Sequence, residues 1–161
     1  HRLTIFRTDK LKQILSEAFN EARTNHKILI FAYVIMLDHV HMLAASEKSM
    51  SETLRLVNGI SAHRIIQYLK VNNFQSSLLK LRGETRERNH KHSVWQHHTD
   101  SLEIFGENTF RQKVESIPQH PVGGGLAENA FDYRFSSARQ WAGQAILDEP
   151  LLTDHREIDW R

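Results

Sequence analysis

The stretch that decides the fold is Ile28-Leu-Ile-Phe-Ala-Tyr-Val-Ile-Met-Leu37, followed at once by Asp38-His39-Val40-His41-Met42-Leu43. Residues 28–37 carry no charge and are dense in β-branched and aromatic side chains, which predicts a strand covered on both faces. Asp38 turns the chain, and residues 39–45 are predicted as a second strand that completes a hairpin. Successive strand side chains alternate faces, so His39 and His41 project together while Val40, Met42 and Ala44 project the other way. Two neutral imidazoles side by side on a rigid strand are a ready pair of metal ligands. Two ligands do not make a site, however. In a chain with 11 histidines, a pair of surface or hydrogen-bonded histidines reads equally well from the doublet alone.

Outward from the hairpin, the flanking segments are helical. Leu11, Ile14, Leu15, Ala18, Phe19 and Ala22 fall on one stripe at three- and four-residue spacing, predicting a helix from Asp9 that ends near Asn25-His26. Before it, residues 1–6 read as a short strand or an irregular lead-in. After the hairpin, residues 51–71 form a second helix with Leu54, Val57, Ile60, Ile65, Tyr68 and Leu69 inside, and with Arg55, His63, Arg64 and Lys70 outside. Gly59 costs that helix roughly 1 kcal/mol against alanine, too little to break it. Residues 80–92 (KLRGETRERNHKH) show no apolar period after Leu81 and read as a mobile, positively charged loop. Residues 93–98 (SVWQHH) are expected to be a short strand anchored by Trp95.

Thr109 and Gln112 fit the Thr-x-x-Gln form of a capping box, so a third helix is predicted to start there, with Phe110, Val114 and Ile117 buried. On a helical wheel Lys113, Ser116 and His120 share the flank beside that stripe. Pro118 is awkward inside such a helix, because it deletes a backbone donor and crowds the preceding turn. Residues 121–125, with three glycines, end it. Residues 132–141 form a further compact stretch, read as a turn into a short helix.

Composition bounds the possibilities. The length of 161 residues suits one domain with its own core, here 1–161 with an irregular tail from about residue 143. The absence of cysteine excludes disulfides and thiolate metal sites. The longest apolar run is about half of what crosses a bilayer, and no signal-peptide pattern is present, so a cytoplasmic protein with no membrane partner is expected. A net charge of only +2 leaves an anionic partner open without establishing one.

The string from Tyr33 to Leu43 closely resembles the Tyr-Val-Ile-Met-Pro-Asn-His-Val-His-Leu-Leu signature of the REP-associated tyrosine transposases, which belong with the insertion-sequence single-tyrosine, His-hydrophobic-His transposases. Val94-Trp95-Gln96, residues 110–126, and Asp132-Tyr-Arg-Phe-Ser-Ser-Ala138 follow in that family's order and spacing. The resemblance implies an α+β, ferredoxin-like antiparallel sheet with helices on one face and the paired histidines on a central strand. Only residues 1–6 remain to supply that family's first strand.

The resemblance further implies single-stranded DNA binding with metal-dependent nicking and joining. In the family a divalent ion on the two histidines polarises a scissile phosphate, and a helix-borne tyrosine attacks it, leaving a 5′-phosphotyrosine and a free 3′ hydroxyl. The matching segment here is Ser116-Ile-Pro-Gln-His120-Pro-Val, so the nucleophile position holds Ser116. A serine hydroxyl is harder to ionise and sits closer to the helix backbone than a phenol. The remaining tyrosines, Tyr33, Tyr68 and Tyr133, read as core residues. One helical turn on, at the family's auxiliary metal ligand, stands His120. With His39 and His41 it makes a three-histidine set better suited to Zn²⁺ or Mn²⁺ than to Mg²⁺.

Three functions are therefore weighed. The first is a metal-dependent transposase-family nuclease acting on single-stranded or hairpin DNA, its activity impaired at Ser116. The second is a DNA-binding relic of that family. The third, a histidine-triad hydrolase of small phosphates, needs a third alternating histidine where the chain has Leu43. The expected DNA contacts are Arg55, His63 and Arg64 on the second helix, with Lys80, Arg82, Arg86, Arg88 and Lys91 in the basic segment.

Overall fold

The computed structural model describes residues 3–83, 92–96, 100–144 and 158. The first helix, α1 (Asp9–His26), is capped by Thr8, whose hydroxyl accepts the Leu11 N–H, and Asp9 sits favourably against its N-terminal dipole. Its buried side holds Leu11, Ile14, Leu15, Ala18, Phe19 and Ala22, the predicted stripe. Lys27 then takes a left-handed conformation and turns the chain into the hairpin. Residues 3–6 form no strand, although the Phe6 N–H donates to the Leu37 carbonyl.

Strand β1 (Leu29–Ile35) is buried at every position after Leu29, as its unbroken apolar run requires. It pairs antiparallel with β2 (Val40–Ala45), Val34 opposite His41 and Ile35 opposite Val40, with a register shift between Ile30 and Ala32. The second strand starts one residue later than expected, leaving His39 in the turn. There the His39 carbonyl still accepts the Met36 N–H at 2.8 Å. The other edge of β1 is met by residues 135–137. An isolated antiparallel bridge joins Val34 to Ser136, the Ile35 N–H donates to the Phe135 carbonyl, and the Ser137 N–H donates to the Tyr33 carbonyl. The hairpin core is therefore hydrogen-bonded on both sides, within the α+β class expected; among the described residues the sheet proper has two strands.

Helix α2 (Met50–Val71), capped by Ser49, packs along α1 and buries Val57, Ser61, Ile65 and Leu69, with Leu54, Ile60 and Tyr68 half-buried. Arg64 ties the two helices, reaching Glu21 at 2.5 Å and Glu17 at 3.6 Å. The basic segment begins differently from its sequence reading. A third helix, α3 (Gln75–Gly83), carries Lys80 and Arg82, held by the buried Leu78 and Leu81; Arg86, Arg88 and Lys91 lie outside the described residues. The strand expected at 93–98 is absent over residues 93–96, and residues 97–98 lie outside the described set. Trp95 does act as an anchor: its indole N–H reaches the Asn58 carbonyl and Ser61 Oγ on α2, and its ring lies 5.5 Å from Phe6.

Helix α4 (Glu107–Ser116) starts two residues before Thr109, behind Gly106, and no side chain caps it, so the capping box is not used. Phe110, Val114 and Ile117 are buried as predicted, with Phe110 edge-on to Phe31 at 5.0 Å. At Pro118 the chain tightens into a 3-10 turn, Ile117–Gln119, before the short α5 (His120–Gly123). This is the cheapest accommodation of a proline that cannot donate to the helix ladder. A second 3-10 turn, Ala130–Asp132, and α6 (Ala138–Trp141) form the compact stretch expected after it. The tail from residue 145 lies outside the described residues apart from Ile158, which packs partly buried on the core. Among the described residues no helix is long and apolar enough to cross a membrane.

Candidate histidine and nucleic-acid site

Directly opposed residues of an antiparallel pair point to the same face, so the register places His41 on the face of Val34. His39, just before the strand, lies beside it, the two ring centroids 4.9 Å apart and nearly perpendicular. His120, the first residue of α5, reaches the same place, its ring 4.0 Å from that of His41 and tilted by 36°. The structure thus brings the half-buried His120 imidazole onto the half-buried pair of His39 and His41, distant from it in the chain.

Two of them are oriented by their second ring nitrogen. His39 Nδ1 lies 2.5 Å from Asp38 Oδ1, and His120 Nδ1 lies 2.9 Å from the Ile117 carbonyl oxygen. Carboxylate and carbonyl oxygens only accept, so each contact calls for the hydrogen on Nδ1, which in a neutral ring leaves the lone pair on Nε2. A carboxylate or backbone carbonyl behind the ring is the arrangement that characterises metal-ligating histidines, and this donor chemistry fits a divalent ion. As the side chains stand, the rings lie against one another, and among the described residues no three His, Asp or Glu side chains are placed to hold an ion.

Gly124 supports the cluster from behind. A Cβ there would stand 3.2 Å from Met36 Cε and 3.3 Å from the His120 carbonyl oxygen, so the absence of a side chain lets the end of α5 lie close to the β1 end. Neither Asp38 as a partner of His39 nor Gly124 stood out in the sequence. The only available signals were the carboxylate directly before His39 and the run of three glycines.

Ser116 is the exposed last residue of α4, one turn before His120. The three tyrosines are embedded in the fold. Tyr33 is buried within β1, and Tyr68 packs half-buried against Phe74 at 5.8 Å. Tyr133 donates its hydroxyl to the Ile35 carbonyl at 2.6 Å beneath the Lys12 ammonium. Burial, with a smaller contribution from the nearby Asp9 charge, pushes the Tyr133 phenol up to about 12.

The expected DNA-contact residues divide into groups. Arg55 and His63 are exposed on α2. His63 and Arg64 line a shallow groove with Glu21, Gly59, Ile60 and Gln67 where α1 meets α2, and there the Arg64 guanidinium is paired with Glu21. Lys80 and Arg82 are exposed on α3.

Taken together, these features define an α+β protein built on a histidine-bearing hairpin. A family model described as Transposase IS200 like matches residues 1–98, a span that holds the hairpin, α1, α2 and α3. The chain belongs to the IS200-like transposase family. The match ends before Ser116 and His120. No curated protein and no solved structure matches the chain.

Proposed function

We propose that this transposase-family chain binds single-stranded or hairpin DNA across its histidine face and acts on it with a divalent ion, the covalent step being weakened at Ser116. The carrying observation is the convergence of His39, His41 and His120, two of them with Nδ1 already engaged. His39 and His120 would hold the ion through Nε2, with His41 between them, and three imidazoles favour Zn²⁺ or Mn²⁺ over Mg²⁺. A bound ion would neutralise charge on the scissile phosphate.

The chain's own groups do the rest. Exposed cations on α2 and α3, with Arg86, Arg88 and Lys91 beyond them, would attract the DNA backbone. Ser116 offers a short hydroxyl that needs an adjacent base to become a nucleophile. Tyr133 does not replace the missing phenol, because its proton is committed to the Ile35 carbonyl.

A second reading, a DNA-binding relic without strand transfer, is favoured by Ser116 itself. Labelled hairpin DNA with Mn²⁺, run on denaturing gels, separates the two. Nicking by the unaltered chain that is lost in His41→Ala supports the proposal. A covalent adduct formed only by Ser116→Tyr supports the relic. DNA that is neither bound nor cut by either protein refutes both.

A further inference from the structure

The metal reading requires imidazoles held with one ring nitrogen turned outward, and the chain carries a side chain suited to that task. Asp38 and His39 are neighbours whose side chains are each about one-third exposed, with Oδ1 and Nδ1 2.5 Å apart. We propose that Asp38 is a positioning residue: it fixes the tautomer and ring plane of His39, so that Nε2 is the atom presented to a divalent cation. The inference rests on the metal reading above and deepens it. Two observations carry it. The two atoms are within hydrogen-bond reach of each other. His120, which lies against His41, has its Nδ1 engaged in the same way by the Ile117 carbonyl, so Nε2 is the nitrogen left for a ligand bond in both rings. Asparagine at position 38 can still accept the bond through its amide oxygen but brings no charge, which makes it the graded control.

The test is Mn²⁺ binding followed by electron paramagnetic resonance on the whole chain, with circular dichroism checking that each variant folds. Asp38→Ala is expected to weaken Mn²⁺ binding roughly 10- to 100-fold, and Asp38→Asn by less. In a His39→Ala background, Asp38→Ala should change affinity by under about twofold, because a residue acting through His39 has nothing left to act on. Equal losses in both backgrounds would make Asp38 a ligand in its own right and overturn the proposal, as would unchanged affinity in Asp38→Ala. If the chain binds no more Mn²⁺ than its His39→Ala/His41→Ala form, the metal reading fails and takes this inference with it. A metal-independent readout is the ¹⁵N–¹H ring correlation spectrum of the apo protein. His39 is expected as the Nδ1–H tautomer, relaxing to a mixture in Asp38→Ala; an Nε2–H tautomer in the unaltered chain overturns the proposal while leaving the metal reading intact.

Discussion

Tyr133→Phe, followed as a function of alkaline pH, tests whether the last well-placed phenol is locked into the fold. The Tyr133 hydroxyl is buried and donates to the Ile35 carbonyl of the central strand. Its loss is expected to cost about 1–2 kcal/mol at neutral pH. Folding raises the pKa from 10.0 to about 12, so the folded state favours the neutral phenol. That contribution is intact below pH 10 and is lost as the pH rises toward 12. Two-state linkage gives a loss of roughly 1 kcal/mol by pH 11 and roughly 2 kcal/mol by pH 12 in the unaltered protein, and none from this position in the phenylalanine variant. The stability gap should therefore close near pH 11 and reverse beyond it. Urea unfolding by circular dichroism at constant ionic strength measures the gap, and absorbance at 295 nm measures tyrosinate. A gap that stays constant to pH 12 would show that Tyr133 ionises as freely as in the unfolded chain, and the argument against it as a substitute nucleophile would collapse.

Other expectations follow from the packing and the site. Ser116→Tyr combined with Pro118→Ala should give more covalent DNA adduct than Ser116→Tyr alone; equal yields would show that the turn at Pro118 is not limiting. Ile65 is fully buried where α2 meets the core, so Ile65→Ala should cost about 2–5 kcal/mol in urea unfolding, and a cost below about 1 kcal/mol would contradict the packing. Gly125 has φ of +71°, so Gly125→Ala should cost about 1–2 kcal/mol, whereas at Gly123 a Cβ meets nothing within 4 Å and the same change should be near neutral. Charge reversal at Arg82, Arg86 and Arg88 should weaken DNA binding and flatten its salt dependence; unchanged affinity and slope would remove the basic segment from the interface.

How far the sequence could be read depended on where the stabilising contacts come from. The first helix was legible because its apolar stripe is local, and the hairpin because residues 28–37 admit little except a buried strand. The third helix was hidden: its burial rests on Leu78 and Leu81 among charged neighbours, and short helices of that kind are held by packing rather than propensity. The start of α4 was misplaced because Gly106 caps it without a side-chain bond, so no capping residue marks the position. Residues 93–96 have strand-like composition, yet the Ser93 N–H bonds the Leu81 carbonyl and the Trp95 side chain is anchored on α2, and among the described residues these positions pair with no strand. In the site, His39 and His41 do lie together, though His39 stands in the turn and not on the strand from which alternation placed it, and the family resemblance pointed to His120. The hydrogen bonds behind the rings depend on side-chain rotamers, which no spacing rule encodes.

The turn at Pro118 links the two departures of the site from the tyrosine transposases it resembles. In an unbroken α-helix, residues four apart are rotated by only about 40°, so Ser116 and His120 would share one flank. A 3-10 turn advances roughly 20° more per residue, and residues 117–119 form such a turn. The consequence is visible in the burial: Ser116 is exposed to solvent, while His120 is half-buried and laid against His41. Gly124 completes the shift, since any side chain there would press on Met36 and on the His120 carbonyl. On the function proposed above, the turn at Pro118 would set both how far position 116 faces solvent and how closely position 120 meets His41. A phenol restored at position 116 would start from the exposed end of α4, whereas the ring at position 120 already lies against His41.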